Sequence, residues 1–157
     1  YAKRIEEAGA DSICIKDMAA LLTPYHTAEL VKAIKSAVSI PVQLHTHYTS
    51  GLASMCLLKG IEAGADMIDT AMSPLALGTS HAPTESMVAA LKNTEYDTGL
   101  DLVLLNEIRE ILDGDPEIDG GATTLSGGDL AVRIFGHRAQ KLQQTAEKIK
   151  TVYEKLL

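Results

Sequence analysis

The chain has 157 residues, 46% of them hydrophobic, which is enough for one modest globular domain with a buried core. A formal net charge of -7, an aromatic content of 4% and the lack of tryptophan argue against nucleic-acid binding and against attachment to anionic lipid. The sequence contains no apolar run of the ~20 residues that a membrane span needs. Cys14 and Cys56 lie in apolar stretches without CxxC spacing, which favours buried, reduced thiols and a cytoplasmic location.

Three helix-strand units are predicted along the first half of the chain. The first helix ends at residue 8, where Gly9 supplies the positive φ of a helix stop, and the same Gly-Ala-Asp sequence recurs at residues 64–66. The predicted strands cover residues 12–16, 42–45 and 67–69. Strands joined by single helices pair in parallel through right-handed crossovers. The predicted fold class is therefore α/β, a partial (β/α)8 TIM barrel made of its last three units, and we expect the chain to be a piece of a longer protein.

The second half of the chain is predicted to leave the barrel. We place the barrel portion at residues 1–105, a loop-rich linker at 106–128, and an amphipathic helix at 129–157 that begins with Asp129 as its N-cap. Apolar residues repeat in this tail at heptad spacing: Phe135, Ala139, Leu142, Ala146, Ile149, Tyr153 and Leu156. Such a helix could pair with a copy of itself, lie on a partner, or pack on its own domain.

Two histidines follow each other at alternate positions at the end of the second predicted strand. Because successive side chains of a strand point to opposite faces, His45 and His47 lie on the same face. Two imidazoles on one rigid strand can bind one divalent ion without backbone rearrangement. The spacing is equally compatible with two histidines that only form hydrogen bonds at the mouth of a loop.

Lys16 ends the first predicted strand, after an apolar run that predicts a buried stem for its side chain. A buried lysine loses its proton more readily, and a neutral amine can react with carbon dioxide to give a carbamate, which is an anionic oxygen ligand. The plainer alternative is a lysine that extends to solvent or pairs with Asp17.

A hydroxyl-rich segment over residues 79–86 precedes a predicted helical run at 87–91. In a barrel this loop lies on the same rim as the lysine and the two histidines, so Thr79 could face the open coordination position of an ion. The alternative is that Thr79, Ser80 and Thr84 cap the helix.

Residues 9–19, 44–51 and 78–87 together resemble the biotin-dependent carboxyltransferases of the oxaloacetate decarboxylase and pyruvate carboxylase type. The resemblance covers residues 1–105, including the segment 96–101. It is specific, since three separate motifs occur in the same order.

The resemblance implies a metal site in which carbamylated Lys16, His45 and His47 are ligands, while Thr79 moves a proton between biotin and the enolate of pyruvate. The implied reaction is reversible carboxyl transfer between carboxybiotin and pyruvate, so that oxaloacetate is made in one direction and decarboxylated in the other. The family's aspartate ligand and its substrate-binding arginine and glutamine have no counterpart in this sequence. Zn²⁺, Mn²⁺ and Co²⁺ suit the ligands similarly. The sequence lacks a biotin-carrier motif, so biotin is expected on another domain or subunit, within a homo-oligomer or multi-subunit complex.

Two other classes of function remain open from the sequence. One is a metal-dependent lyase or aldol-type synthase, resembling hydroxymethylglutaryl-CoA lyase or isopropylmalate synthase, in which the paired histidines recur without the carbamate lysine. The other is a catalytically inert barrel fragment that acts in assembly, for which the heptad tail would be suited. Metal content and the modification of Lys16 would separate these classes from the carboxyltransferase.

Overall fold

The computed structural model describes residues 1–113, 150–151 and 154. Its elements in chain order are α1 (Ala2–Glu7), β1 (Ile13–Asp17), α2 (Pro24–Lys35), β2 (Val42–Thr46), α3 (Ala53–Glu62), β3 (Met67–Ile68), a 3-10 turn (Ser73–Leu75), α4 (Thr84–Leu91) and α5 (Leu102–Asp113). The chain divides into two compact units, Tyr1–Asp69 and Thr70–Leu157. Within the described residues, no helix is both long enough and apolar enough to cross a membrane.

The first unit is a parallel three-stranded sheet in the order β1-β2-β3, as the sequence predicts. The two helices α2 and α3 pack against each other, and both contact β2. On β2, the side chains of Val42, Leu44 and Thr46 are buried against this helical layer. The alternate positions 43 and 45, and position 47 directly after the strand, are only half-buried. This alternation aims both histidines at the face opposite the buried one.

The helix stops that the sequence predicts at two glycines are present. Gly9 has φ +90 and Gly64 has φ +99, values that favour glycine because it lacks a Cβ. In both places a residue just beyond the glycine donates its N–H to a carbonyl five residues back, from Ala10 to Ile5 and from Ala65 to Gly60. The repeated sequence therefore forms the same turn twice, and each turn leads the chain into a strand.

Helix α3 lies very close to the central strand. A Cβ built on Gly60 would be 2.5 Å from Cδ2 of Leu44, whose side chain is fully buried. Only a residue without a side chain fits at this crossing unless Leu44 moves. Packing of the helix on Leu44 thus fixes the strand that carries the two histidines.

Asp66 ties the start of β2 to the end of helix α2. Its carboxylate accepts hydrogen bonds from Lys35 Nζ and from the backbone N–H of Val42, each at 2.7 Å. The hydrogen bond from Lys35, and after it the one from Val42, hold the pKa of Asp66 below its usual range.

The second unit has its own apolar cluster. Ile108 and Leu112 of α5 are buried, and they pack with Met72, Leu75, Leu104 and Ile111. Helix α5 continues through residues 106–113, so the prediction that a loop-rich linker begins at 106 is wrong for these residues. Buried side chains at helical spacing continue to Leu112, whereas the Gly-Asp-Pro sequence that predicts a loop stands later in the sequence, at 114–116. Residues 114–149, with the predicted Asp129 cap, and all the heptad positions lie outside the described residues.

Candidate metal centre

The register of β1 and β2 brings Lys16 and His45 side by side. Lys16 is the direct partner of His45, and Asp17 is the partner of Thr46. Residues paired in this way in neighbouring strands, about 4.8 Å apart, direct their side chains to the same face of the sheet. The backbone N–H of His47 also donates to the carbonyl of Asp17 at 3.1 Å, so the backbone hydrogen bonds between the two segments extend to His47. The sheet therefore groups the three residues that the sequence singled out as metal ligands.

The two histidine rings face each other through their Nε2 atoms. These atoms are 3.3 Å apart, and the ring planes are inclined by 61°. Two Zn–N bonds of about 2.0–2.1 Å at a tetrahedral angle span about 3.3 Å between the nitrogens. The arrangement of His45 and His47 consequently fits two ligands of one divalent ion.

Asp69, which directly follows β3, contacts the first of these histidines. One carboxylate oxygen lies 2.7 Å from Nδ1 of His45, and the other accepts a hydrogen bond from Nε2 of Gln43, also at 2.7 Å. The sequence places Asp69 at the end of a predicted strand but predicts no role for it. Its position at the end of a strand marks Asp69 as a candidate site residue, but the side chain that it contacts depends on how β3 pairs with β2.

Lys16 is exposed, whereas the sequence predicts that its stem is buried. Lys16 lies on the same face as His45, opposite the buried face of the sheet, and β1 is an outer strand of the three described. Cys14 lies on the same face and is exposed for the same reason, so the expectation of a buried thiol holds for Cys56 only. Partial desolvation and the charge of Asp69 raise the pKa of the Cys14 thiol, while the Lys16 ammonium acts in the opposite direction. The charges of Asp69 and Lys16 therefore act on the Cys14 thiol in opposite directions.

Asp17 organises the loop that follows β1. Its Oδ1 accepts the N–H of Leu21 at 2.9 Å, and its Oδ2 accepts the N–H of Leu22 and the hydroxyl of Thr46, each at 3.0 Å. Among the described residues, no ion pair joins Asp17 to Lys16, so that alternative for the lysine is not observed. The carboxylate instead links the loop to the end of β2, between the two histidines.

Replacement of Asp17 by alanine is expected to lower the free energy of unfolding by about 2–3 kcal/mol, since three donors lose a charged acceptor. Asp17→Asn, which keeps one acceptor oxygen, should lose less. Urea unfolding of the variants measures the difference, with Asp11→Ala at an exposed aspartate as the control. Equal stability of Asp17→Ala and the control would contradict the role given to this carboxylate.

The loop that carries Thr79 belongs to the second unit. It is closed by a 2.9 Å contact between the hydroxyls of Thr70 and Thr84, and a tight turn forms at its tip, where the N–H of Ser80 donates to the carbonyl of Leu77 at 2.8 Å. Thr79 is exposed within this turn. Helix α4 has Pro83 as its N-cap and no side-chain hydrogen bond at its cap, so the alternative that hydroxyls of this segment cap the helix is wrong. The same loop carries His81, half-buried, for which no role was predicted from the sequence.

Known proteins are similar to most of the described part of this chain. The model of the HMGL-like family matches residues 1–112. A pyruvate carboxylase subunit of Methanocaldococcus jannaschii is 67% identical over 109 residues, which are 69% of this chain and 19% of that protein. The 2-oxoglutarate carboxylase large subunit of Hydrogenobacter thermophilus is 45% identical over 114 residues, 71% of this chain and 18% of that protein.

Among solved structures, the carboxyl transferase domain of Rhizobium etli pyruvate carboxylase with pyruvate matches with a TM-score of 0.68 and 42% identity. The match covers 69% of this chain and 18% of that one. The chain thus spans about a fifth of the length of the relatives that it matches.

Proposed function

Because the chain belongs to the HMGL-like family, we propose that it carries the metal-binding part of a biotin-dependent carboxyltransferase that acts on pyruvate and oxaloacetate. Its parallel sheet would then be part of a (β/α)8 barrel. The observation that carries the proposal is the 3.3 Å approach of the two Nε2 atoms beside Lys16, in a chain 67% identical to part of a pyruvate carboxylase.

Lys16, His45 and His47 would hold the ion. The amine of Lys16, in its unprotonated form, would attack the carbon of carbon dioxide, forming an N–C bond and releasing one amine proton to solvent. The resulting carbamate oxygen would be an anionic ligand beside two neutral imidazoles, a set that suits Zn²⁺, Mn²⁺ or Co²⁺. When bound, the divalent ion supplies a positive charge that polarises the keto oxygen of pyruvate and stabilises its enolate.

Thr79 would move a proton during carboxyl transfer. A threonine hydroxyl both donates and accepts a hydrogen bond, so it can pass one proton over a short distance. Its exposure at the tip of a tight turn leaves it accessible to a reactant. Biotin would be carried to the site on another domain or subunit, within a larger complex.

The proposal is tested by metal binding in the presence of bicarbonate. Native mass spectrometry of the chain with Zn²⁺, Mn²⁺ or Co²⁺ is expected to show the ion together with an added mass of one carbon dioxide. Lys16→Ala should lose the added mass and bind the ion more weakly, while Lys32→Ala, at an exposed lysine of α2, should retain both.

Two results would contradict the proposal. A chain that binds no divalent ion with or without bicarbonate would favour an inert module that acts in assembly. Tight metal binding that needs neither bicarbonate nor Lys16 would favour a lyase or an aldol-type synthase.

A further inference from the structure

The carboxylate of Asp69 lies against the histidine ring on the side away from the proposed ion. We propose that Asp69 is a positioning residue, which fixes both the tautomer and the orientation of His45. The part of this inference that concerns the metal rests on the proposed function. The part that concerns the ring rests only on the contact between the two side chains.

The tautomer follows from the chemistry of the two groups. An ionised carboxylate can only accept hydrogen bonds, so the 2.7 Å contact with Asp69 requires a proton on Nδ1 of His45. In a neutral imidazole the other nitrogen, Nε2, is then unprotonated and carries the lone pair of the ring that can bind a cation. Nε2 is the atom that faces His47 at 3.3 Å. Asp69 therefore holds His45 in the form in which the nitrogen nearest His47 can bind a cation.

The orientation follows from how firmly the carboxylate is held. Gln43, on the same face of β2 as His45, donates from its amide to the second oxygen of Asp69 at 2.7 Å. The backbone N–H of Asp69 donates to the carbonyl of Leu44 at 3.1 Å, which continues the pairing of the two strands. Both the side chain and the main chain of Asp69 are thus fixed relative to β2.

The burial of the pair is consistent with a specific contact. The side chains of His45 and Asp69 are 19% and 31% exposed, so water competes only partly for their hydrogen bond. A carboxylate that accepts the second N–H of a metal-bound histidine holds the ring in place, and loss of such a partner typically weakens metal binding by about 10–100-fold.

The test compares Asp69→Asn with Asp66→Asn. Asp66 lies three residues earlier, and its carboxylate accepts hydrogen bonds from Lys35 and from the backbone of Val42. Asp66→Asn therefore removes the same charge from a carboxylate whose contacts stabilise the fold. In the metal-free chain, ¹⁵N NMR of the histidine rings is expected to show the Nδ1–H tautomer for His45. Asp69→Asn should lower the population of that tautomer, and Asp66→Asn should leave it unchanged.

Metal affinity is the second measurement. Competition between each variant and a chelator for Co²⁺, with bicarbonate present, should show binding weakened about 10–100-fold by Asp69→Asn and unchanged in Asp66→Asn. If Asp69→Asn does not fold, Gln43→Ala leaves the carboxylate and the ring in place, and it should reduce both the Nδ1–H population and Co²⁺ affinity.

The two proposals fail in different ways. An Nε2–H tautomer of His45 in the unsubstituted chain, or a tautomer that Asp69→Asn and Gln43→Ala both leave unchanged, would overturn the role of Asp69. Equal weakening of Co²⁺ binding by Asp69→Asn and Asp66→Asn would overturn it too, since the effect would then be general. An unsubstituted chain that has the expected tautomer but binds no Co²⁺ would instead overturn the proposed metal site. It would not contradict the inference that Asp69 fixes the tautomer of His45.

Discussion

Alanine at His45 or at His47 is expected to remove tight metal binding and to slow carboxyl transfer strongly in a carboxyltransferase that contains this sequence. Each substitution removes one of the two nitrogens that lie 3.3 Å apart at the end of β2. The charge of the ion is worth several kcal/mol at the developing enolate, and each ~1.4 kcal/mol changes a rate tenfold, so we expect turnover to fall by about 10³-fold or more. Metal analysis of the purified variants and steady-state assays of oxaloacetate decarboxylation measure the two effects.

His26 provides the matched control for this experiment. It lies on α2, where its Nδ1 is 3.0 Å from the hydroxyl of Thr23, and it has no place in the proposed metal site. His26→Ala is expected to retain both the ion and the activity. Full turnover in a metal-free His47→Ala variant would show that the reaction does not depend on the ion, and the mechanism would then be wrong.

The placement of both histidines on one face was predictable because it depends on local backbone geometry. Alternation along a strand has a period of two, so the relation between His45 and His47 follows once the segment is recognised as extended. The parallel order of the strands was also predictable, since single helices connect them. The boundaries of β1 and β2 differ from the prediction by a residue or so, a difference that leaves the faces unchanged.

Contacts between side chains of different strands could not be predicted from the sequence in the same way. The contact of Asp69 with His45 depends on the register between β2 and β3, which no local pattern specifies. The exposure of Lys16 depends on which strand lies at the edge of the sheet, and an apolar run alone predicts burial on either face. The end of α5 has conflicting signals in the sequence, since the glycines after residue 113 indicate a loop whereas Ile108 and Leu112 have helical spacing; the helix continues to Asp113.

The hydroxyl residues of the segment 79–86 have two possible roles in the sequence, and the structure excludes one of them. Hydroxyl residues shortly before a helix are typical of N-caps, and the sequence offered no way to separate that role from a catalytic one. The structure gives the N-cap position of α4 to Pro83, so capping does not explain Thr79. Its role in proton transfer stays a prediction.

Thr79→Ala is expected to leave metal content normal while carboxyl transfer falls about 10²–10⁴-fold, the range typical of the loss of a positioned proton donor and acceptor. The side chain is exposed in the turn closed by Ser80 and Leu77, so its removal should cost little stability. Thr79→Ser, which keeps the hydroxyl, should retain most of the rate. Assays of pyruvate carboxylation and oxaloacetate decarboxylation, together with metal analysis, distinguish a loss of chemistry from a loss of the ion.

Ser80→Ala is the control that makes this experiment specific, since it removes a neighbouring hydroxyl from the same turn while the backbone bond from Ser80 to Leu77 can still form. If the proton passes through Thr79, the two alanine variants will differ by orders of magnitude in rate and hardly at all in unfolding midpoint. Equal rates for Thr79→Ala and the unsubstituted protein would leave Thr79 as a turn residue only. An equal loss in both alanine variants would mean that the shape of the loop matters, and that no single hydroxyl on it carries the proton.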